Sequence, residues 1–486
     1  MASRRDQLQS YQFLVQRVVS AMVLHETDPV QSPLRRLTGA VFASVMVAVI
    51  ALAAVGVYGL VKRGGNERWK NGDAIVVEKE TGTRYVFRLE QGEEPGSKKR
   101  LLHPVSNFAS AALIVGSTEV IQVSRNSLLD IPRGPRIGIR DAPDALPDPG
   151  RLKGAPWTLC SEPELNVAGE TISQTLLAVG EAPSRGIRIP RNSNGAILVR
   201  DIDLGTLHLV WRSHRYPISR ANERAVLFGL DLLQLNPPQV KVGTAWLSAL
   251  PTGQALAPLA VPGRGGASSA APGRQVGQIL LHGRDDTGSY YLVLPERVRE
   301  ITRVQARTTL TATRSDAVKV SSSEAATLLD RAEDRPPPSD TDPPADPKLL
   351  EMADVRNPSS TLCASFFDGG SVPQISYQAL VLGTELAVAT ERRDPAGNVF
   401  ADRVKVQAGY GAIVVALASP DADPKRSPVF LVTDLGRRYP IADPEVQKIL
   451  EYGNVEPTPM PFSLVERIPP GDALDPDLAN RPVSAS

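Results

Sequence analysis

The side chains with the most chemistry to offer in this chain are five histidines, two cysteines and two pairs of arginines. The histidines are His25, His103, His208, His214 and His282. Only His208 and His214 share a short segment, and no cysteine or carboxylate completes a metal-ligand spacing around them. Packing within strands is the expectation for both, and no metal ligand is assigned. The chain contains no Gly-Lys dipeptide, so a Walker-type phosphate cradle is absent. It also lacks a Gly-x-Ser-x-Gly nucleophile elbow. Arg212 and Arg215, like Arg437 and Arg438, flank two Arg-Tyr-Pro-Ile stretches. They offer charge to an anionic polymer, but solvated strand-end charges are the simpler expectation. No catalytic residue, cofactor-binding residue or cofactor is assigned from these side chains.

The cysteines, Cys160 and Cys363, are more informative because of what surrounds them. Thr158-Leu159-Cys160 recurs as Thr361-Leu362-Cys363, an offset of 363 − 160 = 203. Other features recur in the same order. Gly195-Ala196-Ile197 returns as Gly411-Ala412-Ile413. Arg215-Tyr216-Pro217-Ile218 returns as Arg438-Tyr439-Pro440-Ile441. Pro251-x-Gly253 returns as Pro469-x-Gly471, and Pro132-Arg133-Gly134 closes an earlier segment in the same way. Weaker hairpin patterns link Thr81-Gly82 to Thr287-Gly288. Such self-similarity is the mark of a repeat architecture.

Four units are expected, at residues 68–140, 193–260, 276–325 and 410–475. Each is read as a two-stranded ribbon plus one helix. Since an isolated hairpin is marginal in water, the helix must cover it or the units must lean on one another. Segments 150–190 and 355–409 carry the cysteines and would form a shared core about a pseudo-two-fold axis, where related positions can meet. Two unrelated buried thiols are the alternative. Pro- and Gly-rich joints at Ala142–Gly150, Pro262–Gly273 and 334–347 read as linkers, the last joining the halves.

The first sixty residues are of another kind. Ala40 to Val61 is a run of 22 residues without charge, about 33 Å long as a helix and enough for a bilayer core. A membrane helix over residues 39–62 is expected. A cleaved signal peptide is set aside, because about 40 residues precede the run. In the arm before it, residues 1–38, the apolar Leu8, Tyr11, Val15, Val18 and Met22 recur at helical spacing. Gln7, Gln9, Gln12 and Gln16 occupy its polar side, favouring a protein partner over anionic lipid. These five residues are the expected partner-docking stripe. Ser3 and Asp6 suit a helix start, Asp28-Pro29 a stop, and Ser32-Pro33 a new start. Five arginines precede the run and Lys62, Arg63, Arg68 and Lys70 follow it, slightly favouring an internal N-terminus.

Composition excludes other classes. The chain has 486 residues, 42% of them hydrophobic, so several real cores are expected. Lys plus Arg number 54 against 53 Asp plus Glu, a balance unlike that of a dedicated nucleic-acid binder. With 38 Gly and 42 Pro, short strands and many turns are expected. The fold class is therefore α+β: an amphipathic helix, one transmembrane helix, then an elongated pseudo-two-fold extracytoplasmic region of four β-hairpin-plus-helix repeats around a β-rich core.

The N-terminal string Arg5-Asp6-Gln7-Leu8-Gln9-Ser10-Tyr11-Gln12-Phe13-Leu14 leads into Arg17-Val18-Val19-Ser20-Ala21, Asp28-Pro29 and Ser32-Pro33-Leu34-Arg35-Arg36 before the apolar run. This closely resembles the EccB family, the B component of the actinobacterial type VII (ESX) secretion membrane complex, and the resemblance extends over the whole chain. It implies a plasma-membrane location with a cytoplasmic N-terminus and the repeats in a periplasm-like space. It implies a structural subunit in an oligomeric assembly with an FtsK/SpoIIIE-like ATPase, a multi-span channel-like subunit and a further membrane subunit. It also implies a disulfide in the central core, carried onto Cys160 and Cys363. ATP hydrolysis is attributed to the family, but no motif here supports it. The shortened third repeat departs from a regular four-unit pattern. The rival expectations are an extracytoplasmic nucleotide or cell-wall hydrolase, and an anchor whose repeats grip peptidoglycan.

Overall fold

The structure is a computed structural model that describes residues 3–24, 33–61, 67–91, 98–165, 167–169, 171–232, 239–329, 339, 341–350, 361–370 and 372–483. Helix α1 (Arg4–Leu24) begins where the Ser3 backbone N–H donates to the Asp6 carboxylate at 3.0 Å. Helix α2 (Pro33–Val61) holds the 21-residue stretch Thr38–Tyr58, long and apolar enough to cross a membrane and not buried by the other described residues. The expected stop at Asp28-Pro29, the cap at Ser32, and Lys62 and Arg63 lie outside the described residues.

Beyond α2 the chain builds four similar sheets and one larger one. In the first unit, Ile75–Glu78, Arg84–Gln91 and Lys98–Pro104 form an antiparallel meander. Helix Phe108–Val115 then carries the chain back so that Val120–Val123 lies parallel to the first strand. The second unit repeats this with Gly195–Asp201, Leu207–Trp211, His214–Ile218, helix Glu223–Gly229 and Val240–Val242. The third uses Ile279–His282, Ser289–Val293, Val298–Ile301, helix Arg303–Thr313 and Val318–Lys319. The fourth uses Gly411–Leu417, Val429–Thr433, Arg438–Ile441, helix Pro444–Ile449 and Thr458–Pro461.

Each unit thus holds four strands where a two-stranded ribbon was expected. The third strand is, in two units, the Arg-Tyr-Pro-Ile stretch itself. The fourth is two to four residues long and, in the last unit, proline-bearing, too short to show an alternation in the sequence. Two of the expected linkers are packed structure. In Pro262–Gly273, Ala270 and Ala271 are buried and Ser268 Oγ donates to the Leu294 carbonyl at 2.6 Å. In Ala142–Gly150, the Pro147 carbonyl accepts from the buried Tyr452 hydroxyl at 2.7 Å. Of residues 334–347, 334–338 and 340 lie outside the described residues; Thr341 accepts from Gln254 N–H at 2.8 Å and Asp346 pairs with Arg303 at 2.6 Å.

The units associate in a set pattern. One hydrophobic core spans units one and four, joining Ile75, Ala109 and Leu113 to Leu431, Val446 and Leu450. Units two and three meet through their helices, with Val304 buried beside Val226 and Leu230. These helices cross closely at Gly229, where an added Cβ would lie 3.0 Å from the Val304 carbonyl oxygen. Under the roughly 200-residue duplication, unit one corresponds to unit three and unit two to unit four, so the two junctions are pseudo-equivalent. Between them lies a seven-stranded sheet in the order Val388–Ala389, Arg403–Lys405, Thr171–Ala178, Trp157–Leu165, Leu362–Phe366, Gln374–Leu380, Arg185–Arg188. The largest core cluster joins that sheet, through Trp157, Leu159 and Phe366, to Val199 and Trp246 of unit two and Val414 and Met460 of unit four.

Candidate functional site

The two cysteine strands are immediate neighbours at the centre of this sheet. Trp157–Leu165 and Leu362–Phe366 run antiparallel with Cys160 opposite Cys363, and the two are disulfide-bonded. Their Cα atoms are 4.0 Å apart, and both side chains are fully buried beside Leu176, Ala178, Ala379 and Val381. The flanking pairs Leu362–Ser161 and Ala364–Leu159 exchange under the 203-residue offset, so the pseudo-two-fold axis passes through the cysteine pair. One step outward, Thr158 Oγ1 and Ser365 Oγ are 3.0 Å apart, a buried hydroxyl pair across the same two strands.

The Arg-Tyr-Pro-Ile and Pro-x-Gly motifs prove to be two sides of one contact. Arg215 N–H donates to the Pro251 carbonyl and Gly253 N–H donates back to Arg215, both at 2.9 Å. The same reciprocal pair joins Arg438 to Pro469 and Gly471, and Leu102 to Pro132 and Gly134. Each glycine lies flat against a buried ring. A Cβ on Gly253 would come 2.3 Å from Tyr216, one on Gly471 2.2 Å from Tyr439, and one on Gly134 2.3 Å from His103. Backbone dihedrals are not the reason for glycine here; ring contact is. The arginines of the motif are committed to the same junctions: Arg215 Nε donates to Thr252 Oγ1 at 3.0 Å, and Arg438 Nε to the Ile468 carbonyl at 2.8 Å. Arg437 pairs with Asp141 at 2.6 Å, linking units four and one, and Arg212 stacks 4.3 Å from the Trp211 ring centre. They are spent within the fold rather than displayed to a polymer.

The histidines are dispersed. His103 Nδ1–H donates to the Pro135 carbonyl at 3.0 Å, and its Nε2 lies 2.9 Å from the Glu90 carboxylate. His208 is buried in its strand, 3.1 Å from Thr206 Oγ1. Burial, with Arg215 nearby, pushes its pKa down to about 4, so it is neutral at physiological pH. His214 Nδ1 lies 2.9 Å from the Arg212 carbonyl, and His25 lies outside the described residues. Among the described residues no three His, Cys, Asp or Glu side chains are placed to hold a metal ion.

The arm is the opposite case. Leu8, Tyr11, Val15, Val18 and Met22 all remain solvent-exposed, Tyr11 at 69% and Met22 at 78%. Ser20, two residues beyond Val18 and so on the far side of α1, is buried. The helix therefore touches the rest of the chain with one face and leaves the apolar stripe open. The sequence alone did not mark a cleft at the junction of units two and three, walled by arginines that share no motif with one another.

The family profile described as "Type VII secretion system ESX-1, transport TM domain B" matches residues 1–483. The ESX-3 secretion system ATPase EccB3 of Mycobacterium tuberculosis is 28% identical over 501 aligned residues, covering 97% of this chain and 88% of that protein. The ESX-1 secretion system ATPase EccB1 of the same species is 25% identical, covering 97% and 93%. A chain of an intact ESX-5 inner membrane complex superimposes with a TM-score of 0.59 at 23% identity, covering 100% of this chain and 96% of that one. A chain of an EccB3 dimer from the ESX-3 core complex gives 0.57 at 23%, covering 84% and 100%. These two structures share the fold.

Proposed function

The chain belongs to the EccB family of type VII secretion membrane components, and from that premise we propose that it is a membrane-anchored structural subunit that helps hold a protein-exporting complex together. The observation that carries this reading is the extent of the match, residues 1–483, which takes in the arm, the span and the repeats as one piece. The architecture supports it. Beyond the span the apolar side chains build extended buried cores, whereas α1 leaves its stripe uncovered next to the span. A helix beside a bilayer with an open apolar face and a glutamine-rich polar face suits a protein groove better than an anionic lipid surface.

In this reading the N-terminus is cytoplasmic and docks by Leu8, Tyr11, Val15, Val18 and Met22. Its partners are an FtsK/SpoIIIE-like ATPase, a multi-span channel-like subunit and a further membrane subunit. The four repeats and the disulfide-tied centre stand outside the membrane as a rigid body for lateral assembly. The test is affinity purification of the tagged full-length chain from detergent-solubilised native membranes. Co-recovery of an ATPase and a multi-span membrane protein is expected. Recovery of the chain alone, with retention on wall sacculi, would replace this reading by a peptidoglycan anchor. Turnover of ATP or wall fragments by the partner-free chain would replace it by an enzyme.

A further inference from the structure

The two pseudo-equivalent junctions differ in one respect. Between units two and three, helices Glu223–Gly229 and Arg303–Thr313 enclose an open cleft of about 1080 Å3. Its floor is apolar, formed by Leu227, Phe228 and Leu310, and Phe228 is 40% exposed. Its walls carry Arg220, Arg224 and Arg314, which are exposed and make no ion pair among the described residues. Arg307 also lines it, but is bonded to Asp231 and lies 5.2 Å over the Phe228 ring. Of the lining acids, Glu223 is taken by Arg200 at 2.6 Å and Asp285 accepts from the Tyr290 hydroxyl. Three unpaired guanidinium groups therefore face two carboxylates that have no cationic partner among the described residues, Asp285 and Asp316, and the cleft keeps a net positive charge.

The fold does not require this cleft, because the junction of units one and four lacks its walls. There the equivalent helix, Phe108–Val115, has eight residues and ends at Gly116, whereas Arg303–Thr313 has eleven and ends at Arg314. Measured back from the helix ends Leu230 and Leu450, the place of Phe228 is held by Lys448, which pairs with Glu445 at 2.9 Å. Thr118 hydrogen-bonds Glu451 across that junction. An extra helical turn ending in arginine, from unit three, and an exposed aromatic ring, from unit two, thus distinguish one of the two pseudo-equivalent junctions from the other.

We propose that this cleft binds an acidic segment of a partner polypeptide, one that seats a leucine or aromatic side chain on Phe228 and Leu310 and offers carboxylates to Arg220, Arg224 and Arg314. Guanidinium forks match carboxylates in a bidentate way. An aliphatic and aromatic floor suits an apolar side chain. This goes beyond the assembly role and rests on it only in expecting a protein partner.

The test uses the purified full-length chain in detergent and a fluorescent twelve-residue peptide alternating Glu with Leu and Phe. Fluorescence anisotropy is read against three controls: the Gln isostere, oligoglutamate, and soluble wall fragments. Saturable binding is expected for the acidic apolar peptide, at least tenfold tighter than for any control. Arg224→Gln/Arg314→Gln should weaken it at least tenfold, and Phe228→Ser should weaken it severalfold, with the melting temperature unchanged for the arginine pair. Equal binding of oligoglutamate, preference for wall fragments, or indifference to the arginine substitutions each overturns the proposal. A chain that copurifies with its membrane complex but takes no acidic peptide overturns the cleft alone and leaves the assembly role standing.

Discussion

Cys160 and Cys363 face each other across two adjacent antiparallel strands, at the point where the pseudo-two-fold axis crosses the central sheet. Two copies of one sequence feature become chemically one through their bond. It closes a loop of 203 residues and ties the half containing units one and two to the half containing three and four. The chain-entropy relation assigns about 5 kcal/mol to a loop of that length, with residual structure in the unfolded chain lowering the measured effect. Non-reducing intact mass of the exported protein should lack both thiol hydrogens. Cys160→Ala/Cys363→Ala should lower the melting temperature by several degrees. Two free thiols in correctly exported protein would sink the pairing.

The ring-on-glycine contact makes a sharper steric prediction. Gly253→Ala and Gly471→Ala each drive a methyl group into a buried tyrosine, and overpacking of this kind costs about 1–3 kcal/mol. Gly150→Ala meets nothing within 4 Å and should be neutral. Urea unfolding of the three variants checks the order. In a double-mutant cycle Gly253→Ala should cost less in a Tyr216→Val background than in the wild type, because the ring is what the methyl group strikes.

His208 gives the outer domain a pH dependence of known sign. Its folded pKa is depressed to about 4 from 6.5, so the unfolded chain takes up a proton that the folded chain refuses. Stability contributed by the neutral ring is present above pH 6.5 and is lost as pH falls toward 4. Between pH 7 and pH 5 the loss is about 2 kcal/mol. Equilibrium unfolding of wild type and His208→Gln at both pH values isolates it. A variant that loses as much stability as the wild type on acidification excludes His208 as the cause.

Docking through α1 is tested by Val15→Asp, which puts a charge on the stripe where a partner would bury it. The variant should insert in the membrane at normal level and no longer copurify with the complex. Unchanged copurification rules the stripe out as the docking face.

Topology is read with a reporter active only outside the cytoplasm. Fusion after residue 100 should be active and fusion before residue 30 silent. The reverse pattern would invert the chain across the membrane and remove the oxidising compartment the disulfide needs.

The amino-acid sequence by itself determined what depends on neighbours along the chain. An uncharged run of 22 residues must be a helix of membrane length, and the spacing from Leu8 to Met22 must put those side chains on one face. Duplication was legible because matched strings in matched order need no folding to be compared. It brought out the α+β repeat pattern and singled out the cysteines. Tertiary structure decided what depends on faces meeting at a distance. Nothing local states that unit one packs on unit four and unit two on unit three, because any apolar helix face can cover any apolar sheet. The fourth strand of each unit stayed hidden for the same reason: Val318–Lys319 is a strand only because Leu280 and Leu281 lie beside it. Tyr216 and Gly253 were legible as two motifs. That they are a single contact follows only once a return strand lays the glycine flat against the ring, leaving no room for a Cβ. The cleft was the least legible of all, since Arg224 and Arg314 have no shared pattern and become neighbours only where two helices from different repeats cross.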